Sequence, residues 1–309
     1  MIRLGPPAKA WDTVAVAGDS FSGPFEASLS LRERFDDALR DFLRMRRREI
    51  EWSEPEATVL IDEIDRLLVA GGKRLRPAFC YWGHRAGGGS DDGRIIVAAA
   101  SLELLHTMAL IHDDLMDEAK ERRGVEASSV HLTAEAGRRG LPAAPERFGW
   151  SAAILVGDLA AVLADRMFLE AGFSPVATTR ALDRYHRMRG EMAVGQYLDV
   201  AGVAIEPAAA RRVAKLKGGA YTVEGPLVIG ASLAGASLHR QALLSRYGDP
   251  LGQAFQLRDD LNDREGGHGA TPGTVNALVD DAVAVLDPEE FDVETVGALQ
   301  DLAELVAMR

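Results

Sequence analysis

The chain has 309 residues, 47% of them hydrophobic, which is enough apolar material for a large core, and its formal net charge is −12. Such an acidic balance argues against nucleic acid or an anionic membrane surface as the main partner. Cys80 is the only cysteine and the N-terminal residues lack a signal-peptide apolar run, so we expect a cytoplasmic protein without disulfides.

Helical spacing dominates the chain from about residue 31 onwards. Residues 1–28 hold Pro, Gly and Ser without periodicity, which predicts an irregular N-terminal arm. A stripe of apolar residues at helical spacing follows, formed by Leu31, Phe35, Leu39, Phe42 and Leu43. Further helices are predicted near residues 55–70, 75–86, 91–118, 149–171, 175–200, 207–217, 221–236 and 238–263, with two shorter ones after 272.

The pattern of elements predicts an all-α protein. Strand signals are nearly absent, and long apolar helices with short joints are typical of one large bundle. The joints near 87–93, 137–149 and 264–273 have the composition of loops and not of domain linkers. We therefore expect residues 1–309 to form a single domain, with 264–309 as its C-terminal region.

Two segments are apolar enough to raise the question of a membrane. Ile95 to Ile111 and Leu227 to Leu238 are too short or too interrupted to cross a bilayer. They are predicted to be buried helices, and no stable membrane insertion is expected.

One acidic pentad occurs twice, as DDLMD at 113–117 and as DDLND at 259–263. Each ends an apolar stretch with helical spacing, and residues four apart lie on one face of a helix. The first and last aspartates of each pentad therefore converge into a set of hard oxygen ligands. Such ligands suit Mg²⁺, which completes its shell with water and substrate phosphates. Two pentads that face one cavity predict a diphosphate site with shared metal ions.

A basic segment precedes the first pentad. GGKRLRP at 71–77 places two glycines before a cationic cluster, so the backbone can approach an anion while Lys73 and Arg76 neutralise it. The alternative is a helix break followed by a solvated basic turn, because short motifs also occur by chance.

Three more basic side chains surround the first pentad. Arg122 and Arg123 follow it closely enough to cover phosphates held by its metals, although an arginine pair is more often surface charge. His106 lies seven residues before Asp113, two helical turns away on the same face. A lone histidine on an apolar helix is more often a core residue.

Six motifs in a fixed order carry a family resemblance: GGKRLRP, LLHTMALIHDDLMD, RRG, GQYLD, KGGAYTVEGPL and FQLRDDLND. Between about residues 60 and 266 the chain resembles the trans-isoprenyl diphosphate synthase (polyprenyl synthetase) family, especially actinobacterial geranylgeranyl diphosphate synthases. The resemblance implies an isoprenoid-synthase helical bundle around a deep apolar cavity, usually dimeric, with the two pentads facing each other at its mouth.

The resemblance also implies an activity, the Mg²⁺-dependent head-to-tail condensation of isopentenyl diphosphate with an allylic diphosphate. It assigns metal ligation and catalysis to the pentads: Asp113, Asp114 and Asp117 on one wall, and Asp259, Asp260 and Asp263 on the other. It assigns isopentenyl diphosphate contacts to Lys73, Arg76, His106 and Arg123. It assigns allylic contacts to Arg122, Lys217 and Gln256, and it places Gln196 and Asp199 along the cavity.

Chain length is expected to depend on Met108 and Ala109, which precede the first pentad by five and four residues. Family members that stop at fifteen carbons often carry bulky aromatics there. Neither residue is aromatic here, so the expected product is geranylgeranyl diphosphate, with twenty carbons. The alternative for Met108 is core filling, which suits its flexible side chain.

The chain departs from the family pattern after the second pentad. It has no lysine after Lys217, whereas the family usually carries a lysine-bearing segment that helps to close the site. Arg258 or Arg264 is a candidate replacement. Gly218 stands where Thr or Ser is common, and Glu126 stands where Pro is common.

These departures leave two alternatives to a synthase. The first is a non-catalytic or partner-dependent subunit of a heteromeric prenyl diphosphate synthase, which would show no turnover alone. The second is a terpene cyclase on the same bundle. Lys73, Arg76 and His106 argue against a cyclase, because they would serve a second diphosphate that a cyclase does not bind.

Overall fold

The described structure is a helical bundle with one short hairpin. A computed structural model describes residues 24–141, 144–203, 207–262 and 271–307. Its helices are α1 (Pro24–Ser53), α2 (Thr58–Val69), α3 (Leu75–Ala86), α4 (Gly93–Met116), α5 (Ser128–Arg139), α6 (Pro145–Glu170), α7 (Pro175–Val200), α8 (Pro207–Ala214), α9 (Gly225–Leu233), α10 (Leu238–Asn262), α11 (Pro272–Val283) and α12 (Val293–Ala307). A 3₁₀ turn (Pro55–Ala57) precedes α2, and a π-helical segment (Lys215–Glu224) joins α8 to α9. The all-α prediction is confirmed.

Several helices begin at a residue whose side chain caps the first turn. The Asp92 side chain accepts the backbone N–H groups of Arg94 and Ile95 at the start of α4. Ser174 and Thr271 cap α7 and α11 in the same way. Each of these caps satisfies backbone donors that have no partner within the helix.

Two clusters of buried apolar side chains form the core. The larger one joins α1, α2, α4, α6 and α7, and all five residues of the predicted α1 stripe are buried in it. The smaller one joins α3, α9, α10, α11 and α12. Ala78 and Trp82 of α3 contact both clusters, so the packing is continuous from one cluster to the other.

Glycines allow α3 and α9 to pack with their backbones in contact. A Cβ added at Gly83 would overlap the carbonyl of Leu227, and one added at Gly230 would overlap the carbonyl of Cys80. The two helices can therefore pack this closely only because glycine has no side chain at these two positions.

Three boundaries differ from the sequence predictions. α1 begins at Pro24, so residues 24–28 of the expected irregular arm are helical; a proline in the first turn is already set for helix. α5 was not predicted, because Leu132 and Ala136 are its only buried apolar positions and leave no clear stripe. The two helices expected at 207–217 and 221–236 continue into each other through the π-helical segment.

α4 tests the prediction about membrane insertion. It is long and apolar enough to cross a membrane by length and composition, so length alone does not exclude a span. However, 72% of its most apolar window is buried inside the bundle. That burial favours a core helix.

Candidate active site

Asp113 lies near the C-terminal end of α4, where side chains from two other elements meet it. Its Oδ1 accepts a hydrogen bond from Gln196 Nε2 of α7 at 2.9 Å. Lys217 Nζ, from the π-helical segment, lies 3.2 Å from the same oxygen and donates to Asp199 Oδ2 at 2.7 Å. Burial alone would lower the pKa of Lys217, but the hydrogen bond to Asp199 and the charge of Asp113 raise it above its ordinary value.

Asp114 points away from this group and is buried. It accepts from Arg122 Nε at 2.8 Å and also from Arg122 Nη2, while Arg122 Nη2 lies 3.6 Å from Asp113 Oδ2. Desolvation raises the pKa of Asp114, and Arg122 opposes that shift. The ion pair of Asp114 and Arg122 therefore fixes the end of α4 relative to the strand that follows it.

The carboxylates of this wall suit a divalent cation. Asp117 follows α4 as its C-cap residue, one turn after Asp113. Desolvation and the charge of Asp113 both raise the pKa of Asp117, which is the signature of negative charge gathered in one place. The donors are hard oxygens, as Mg²⁺ prefers. Within the described ranges no group of three acidic, His or Cys side chains could hold a metal by itself; water and substrate phosphates would complete the shell.

The motif Arg122-Arg123-Gly124 forms a hairpin between β1 (Glu121–Arg122) and β2 (Val125–Glu126). Arg123 and Gly124 have φ values of 55° and 78°, as a two-residue turn with right-handed strand twist requires. Arg66 Nη2 of α2 donates to the Glu126 carbonyl at 2.8 Å. The turn therefore holds Arg123 in a defined direction.

Arg123 joins the hairpin to the glycine-rich segment before α3. It donates to the Gly71 carbonyl, and a Cβ at Gly72 would lie 2.8 Å from Arg123 Nη1. Its Nη2 also donates to His106 Nε2 at 3.3 Å. Two predicted motifs and His106 therefore meet in one place, as the sequence indicated.

This second cluster is positively charged. Desolvation lowers the pKa of Arg123, and the charges of Arg74, Arg76 and Arg122 lower it further. Desolvation and the same arginines lower the pKa of His106 well below its ordinary value. Arg76 Nε and His106 Nδ1 are buried without a hydrogen-bond partner among the described residues. Unbalanced cations with spare donors suit an anion such as diphosphate.

Arg74 is the buried arginine of the GGKR segment, and its backbone is left-handed with φ 53°. Its guanidinium donates to Asp36 Oδ1 of α1 at 2.7 Å, to Glu103 Oε2 of α4 at 3.0 Å and to the Leu68 carbonyl at 2.8 Å. These contacts fix the turn that presents Lys73, which is exposed, and Arg76.

The end of α10 packs on the π-helical segment that carries Lys217. Gly252 of α10 packs on Gly219 in backbone contact. One turn further on, Gln256 Oε1 fills the space that a Cβ at Gly218 would need, so the glycine found in place of Thr or Ser admits Gln256. Asp259 lies in the last turn of α10. The side chain of Asp260, and Asp263 and Arg264 entirely, lie outside the described residues.

Met108 and Ala109 lie on α4 beneath Asp113, and both are half-buried. Met108 packs against the larger apolar cluster. A chain-length role and core filling both stay predictions for Met108.

The sequence reasoning missed Arg74, Tyr221 and Thr222. The Arg76 guanidinium carbon lies 4.5 Å from the Tyr221 ring centroid, and Arg76 Nη2 donates to Thr222 Oγ1 at 2.8 Å. Arg74 lies inside a motif already singled out, and its burial was the missing information. Tyr221 and Thr222 lie in KGGAYTVEGPL, but no short-range pattern predicts which cation they meet.

Comparison with known proteins gives a consistent result. The profile of the polyprenyl synthetase family matches residues 58–271. A nonaprenyl diphosphate synthase of Mycobacterium tuberculosis is 30% identical over 224 residues, which are 70% of this chain and 59% of that protein. A geranylgeranyl diphosphate synthase of Methanosarcina mazei is 33% identical over 201 residues, 64% of this chain and 56% of that protein. The matched part thus spans less than two thirds of these relatives.

One solved structure resembles the chain along nearly its whole length. It is the crystal structure of a geranylgeranyl pyrophosphate synthase from Corynebacterium glutamicum complexed with isoprenyl diphosphate and magnesium. The TM-score is 0.82 at 27% identity, and the match covers 90% of this chain and 98% of that one.

Proposed function

Because this chain belongs to the polyprenyl synthetase family, we propose that it is a prenyltransferase that condenses isopentenyl diphosphate with an allylic diphosphate, head to tail. The observation that carries the proposal is a pair of charged clusters along α4, one rich in carboxylates and one rich in cations. Asp113 with Lys217 forms one, and His106 with Arg76 and Arg123 forms the other. His106 and Asp113 are seven residues apart, about 10 Å along the helix, so two diphosphates can lie side by side.

The allylic diphosphate belongs to the carboxylate cluster. Asp113 and Asp117 on α4 would hold Mg²⁺, with Asp259 on the opposite wall. When bound there, Mg²⁺ supplies positive charge to the diphosphate as its negative charge grows. Lys217 and Arg122 add fixed cations, and Gln196 orients Asp113 through its hydrogen bond. Gln256, which packs on Gly218, adds an amide on the opposite wall.

The isopentenyl diphosphate belongs to the cation cluster. Lys73, Arg76 and Arg123 neutralise its phosphates without a metal, and neutral His106 adds a hydrogen-bond donor. His106 Nε2 accepts from Arg123, which leaves Nδ1 as the donor toward the ligand. This arrangement holds the isopentenyl double bond near the allylic carbon that will react.

The reaction needs no protein nucleophile. The allylic C–O bond breaks with its electron pair on the departing diphosphate, which the fixed cations stabilise. The isopentenyl double bond attacks the allylic carbon, and the departing diphosphate takes the proton lost from the new cation. The product is five carbons longer, and apolar walls keep water from the cationic intermediate.

We further propose geranylgeranyl diphosphate as the main product. Non-aromatic Met108 and Ala109 beneath Asp113 support a pocket deeper than one for fifteen carbons. The relatives differ in their products, since a nonaprenyl diphosphate synthase is 30% identical and a geranylgeranyl diphosphate synthase is 33% identical. The length must therefore be measured.

We also propose a homodimer that works in the cytoplasm. Large apolar side chains are exposed along one side of α6, and a second copy of the same face would cover them: Trp150, Ile154, Leu155, Val162 and Leu169. The fully buried, lone Cys80 suits a reducing compartment.

The first experiment incubates the purified chain with Mg²⁺, isopentenyl diphosphate and, separately, the five-, ten- and fifteen-carbon allylic diphosphates. Products are sized by mass spectrometry. Extension to twenty carbons supports the synthase and shows that no lysine after Lys217 is needed. Folded protein that extends no primer alone would contradict the proposal and favour a partner-dependent subunit.

A further inference from the structure

The π-helical segment holds the guanidinium of Arg76. Thr222 Oγ1 accepts from Arg76 Nη2 at 2.8 Å, and the Tyr221 ring lies 4.5 Å from the guanidinium carbon. An aromatic face at this distance attracts a guanidinium, more strongly where water is excluded. Tyr221 is 3% exposed and Thr222 is fully buried, so neither side chain can swing away. Two consecutive residues thus fix the orientation of one cation.

The same segment also serves the other charge cluster. Lys217 lies four residues before Tyr221 and contacts both Asp113 and Asp199. π-Helical turns are rare and occur frequently at functional sites. Here ten residues have this form, and within them Lys217 faces the carboxylates while Tyr221 and Thr222 face Arg76.

Arg76 retains a donor for a ligand after these contacts. Its Nε is buried without a hydrogen-bond partner among the described residues. The neighbouring His106 ring lies 6.3 Å from the Tyr221 ring. The Nδ1 atom of His106 is likewise buried without a hydrogen-bond partner among the described residues. A guanidinium held by these contacts, with an unpaired donor beside a second unpaired donor, suits a phosphate.

We propose that Tyr221 and Thr222 are positioning residues for Arg76, through which the π-helical segment aligns the isopentenyl diphosphate subsite with the allylic one. The identity of the two diphosphates rests on the proposed function. The role of the pair is to hold Arg76 in its binding orientation before the ligand arrives, which lowers the entropic cost of binding.

Steady-state kinetics with each substrate varied in turn test this role. Tyr221→Leu and Thr222→Val remove the aromatic face and the hydroxyl acceptor. Each is expected to raise the KM for isopentenyl diphosphate about tenfold while the KM for the allylic substrate stays within about twofold. Tyr221→Phe and Thr222→Ser keep the contact groups and should restore the wild-type KM. An equal rise in both KM values would overturn the proposal.

Tyr247→Phe is the matched control. Tyr247 is also a fully buried tyrosine, but it lies in the smaller core cluster, where its hydroxyl donates to the Leu299 carbonyl at 2.6 Å. This variant loses a buried hydrogen bond without touching Arg76. Both KM values should be those of the wild type, and a selective rise for isopentenyl diphosphate would contradict the assignment to Tyr221 and Thr222.

Calorimetric titration with isopentenyl diphosphate alone separates this inference from the synthase activity. The wild type should bind, and Tyr221→Leu should bind about tenfold more weakly. If the wild type binds but makes no product, the proposed function fails while the weaker binding of the variant still supports the positioning role. Equal dissociation constants, or no binding by the wild type, would overturn that role.

Discussion

At the scale of single residues, Asp113 is the carboxylate that Gln196, Lys217 and Arg122 all approach. The spacing of the pentad predicted that Asp113 and Asp117 share a face, and the family resemblance supplied the expected partners. The structure brings Lys217 and Gln196 to Asp113 from two other elements. The contacts of Arg74 and Tyr221 could not be predicted, because they depend on which helices cross and not on local spacing.

Replacement of Asp113 by Asn tests the first pentad. The amide keeps the size of the side chain but removes the charge that faces Lys217 and a metal. We expect kcat to fall by a factor on the order of 10²–10³ or more, with the unfolding transition unchanged. Asp183→Asn, at an exposed acid of α7 that pairs with Arg187, is the control and should retain full activity. Wild-type activity in Asp113→Asn would remove the pentad from the mechanism.

Met108→Phe tests the floor of the product pocket. A rigid aromatic ring beneath Asp113 should stop the growing chain earlier, so mass spectrometry should show fifteen-carbon product in place of longer ones. Met45→Phe, at a half-exposed methionine of α1, should leave the product distribution unchanged. The same distribution in both variants would show that the chain does not pass Met108.

His84 predicts a pH dependence of stability. It belongs to α3 and is buried against Phe173, its Nδ1 lies 3.3 Å from the Gly230 carbonyl, and desolvation lowers its pKa. The hydrogen bond to Gly230 and the charge of Asp92 oppose this shift, while Arg94 and Arg85 add to it. Below pH about 6.5 the His84 side chain binds a proton in the unfolded chain but stays neutral in the native state. The free energy of unfolding therefore falls as the pH drops through that value.

Urea unfolding at pH 8 and at pH 5 measures this effect. The wild type should be less stable at pH 5, and His84→Gln should lose part of the difference. His186→Gln, at an exposed histidine of α7, is the control and should keep the wild-type difference. Identical pH dependence in His84→Gln and the wild type would contradict the assignment.

At the scale of elements, apolar periodicity predicted the helices that bury a broad face, and it failed where the face is narrow. The α1 stripe and the bounds of α3 and α7 were predicted because their signals are strong: a five-residue stripe in α1, glycines and proline around α3, and Pro175 at the start of α7. α5 buries few apolar residues, and the π-helical segment has no period of its own to detect. Its form follows from packing against α7 and α10.

The contact between α3 and α9 makes a testable claim about packing. Gly230→Ala places a methyl group against the Cys80 carbonyl and should destabilise the protein by at least about 1–3 kcal/mol. Gly297→Ala, in α12 with open space at its Cβ position, should stabilise it by roughly 0.5–1 kcal/mol. Denaturant titrations measure both values. Equal stability of Gly230→Ala and the wild type would show that the helices are not in backbone contact.

At the scale of the whole molecule, an acidic chain with a net charge of −12 gathers four arginines around His106. Composition predicted the acidic character of the whole chain, and the motifs predicted the local cluster of cations. Neither composition nor motifs predicted which part of the surface is apolar. The exposed side of α6 became visible only after the core was assigned, because the same helix also carries the fully buried Ala153, Val156 and Ala160.

Leu155→Glu tests the homodimer. A charge in the middle of the exposed apolar side of α6 should convert the protein to a monomer in light scattering coupled to size-exclusion chromatography. Leu238→Glu, at a residue of α10 that is 84% exposed, introduces the same charge elsewhere and should leave the dimer intact. A wild-type monomer, or a dimer that Leu155→Glu leaves intact, would contradict the proposed interface.

The buried contacts of Arg74 give α1 an influence that its position does not suggest. α1 lies on the outside of the bundle, yet Asp36 reaches the guanidinium that fixes the turn before α3. A protease cut within α1, a truncation beyond Asp36, or a partner that lifts the helix would therefore remove one of the three contacts that fix the loop carrying Lys73. The N-terminal helix thus serves as a remote tether for the loop that carries Lys73.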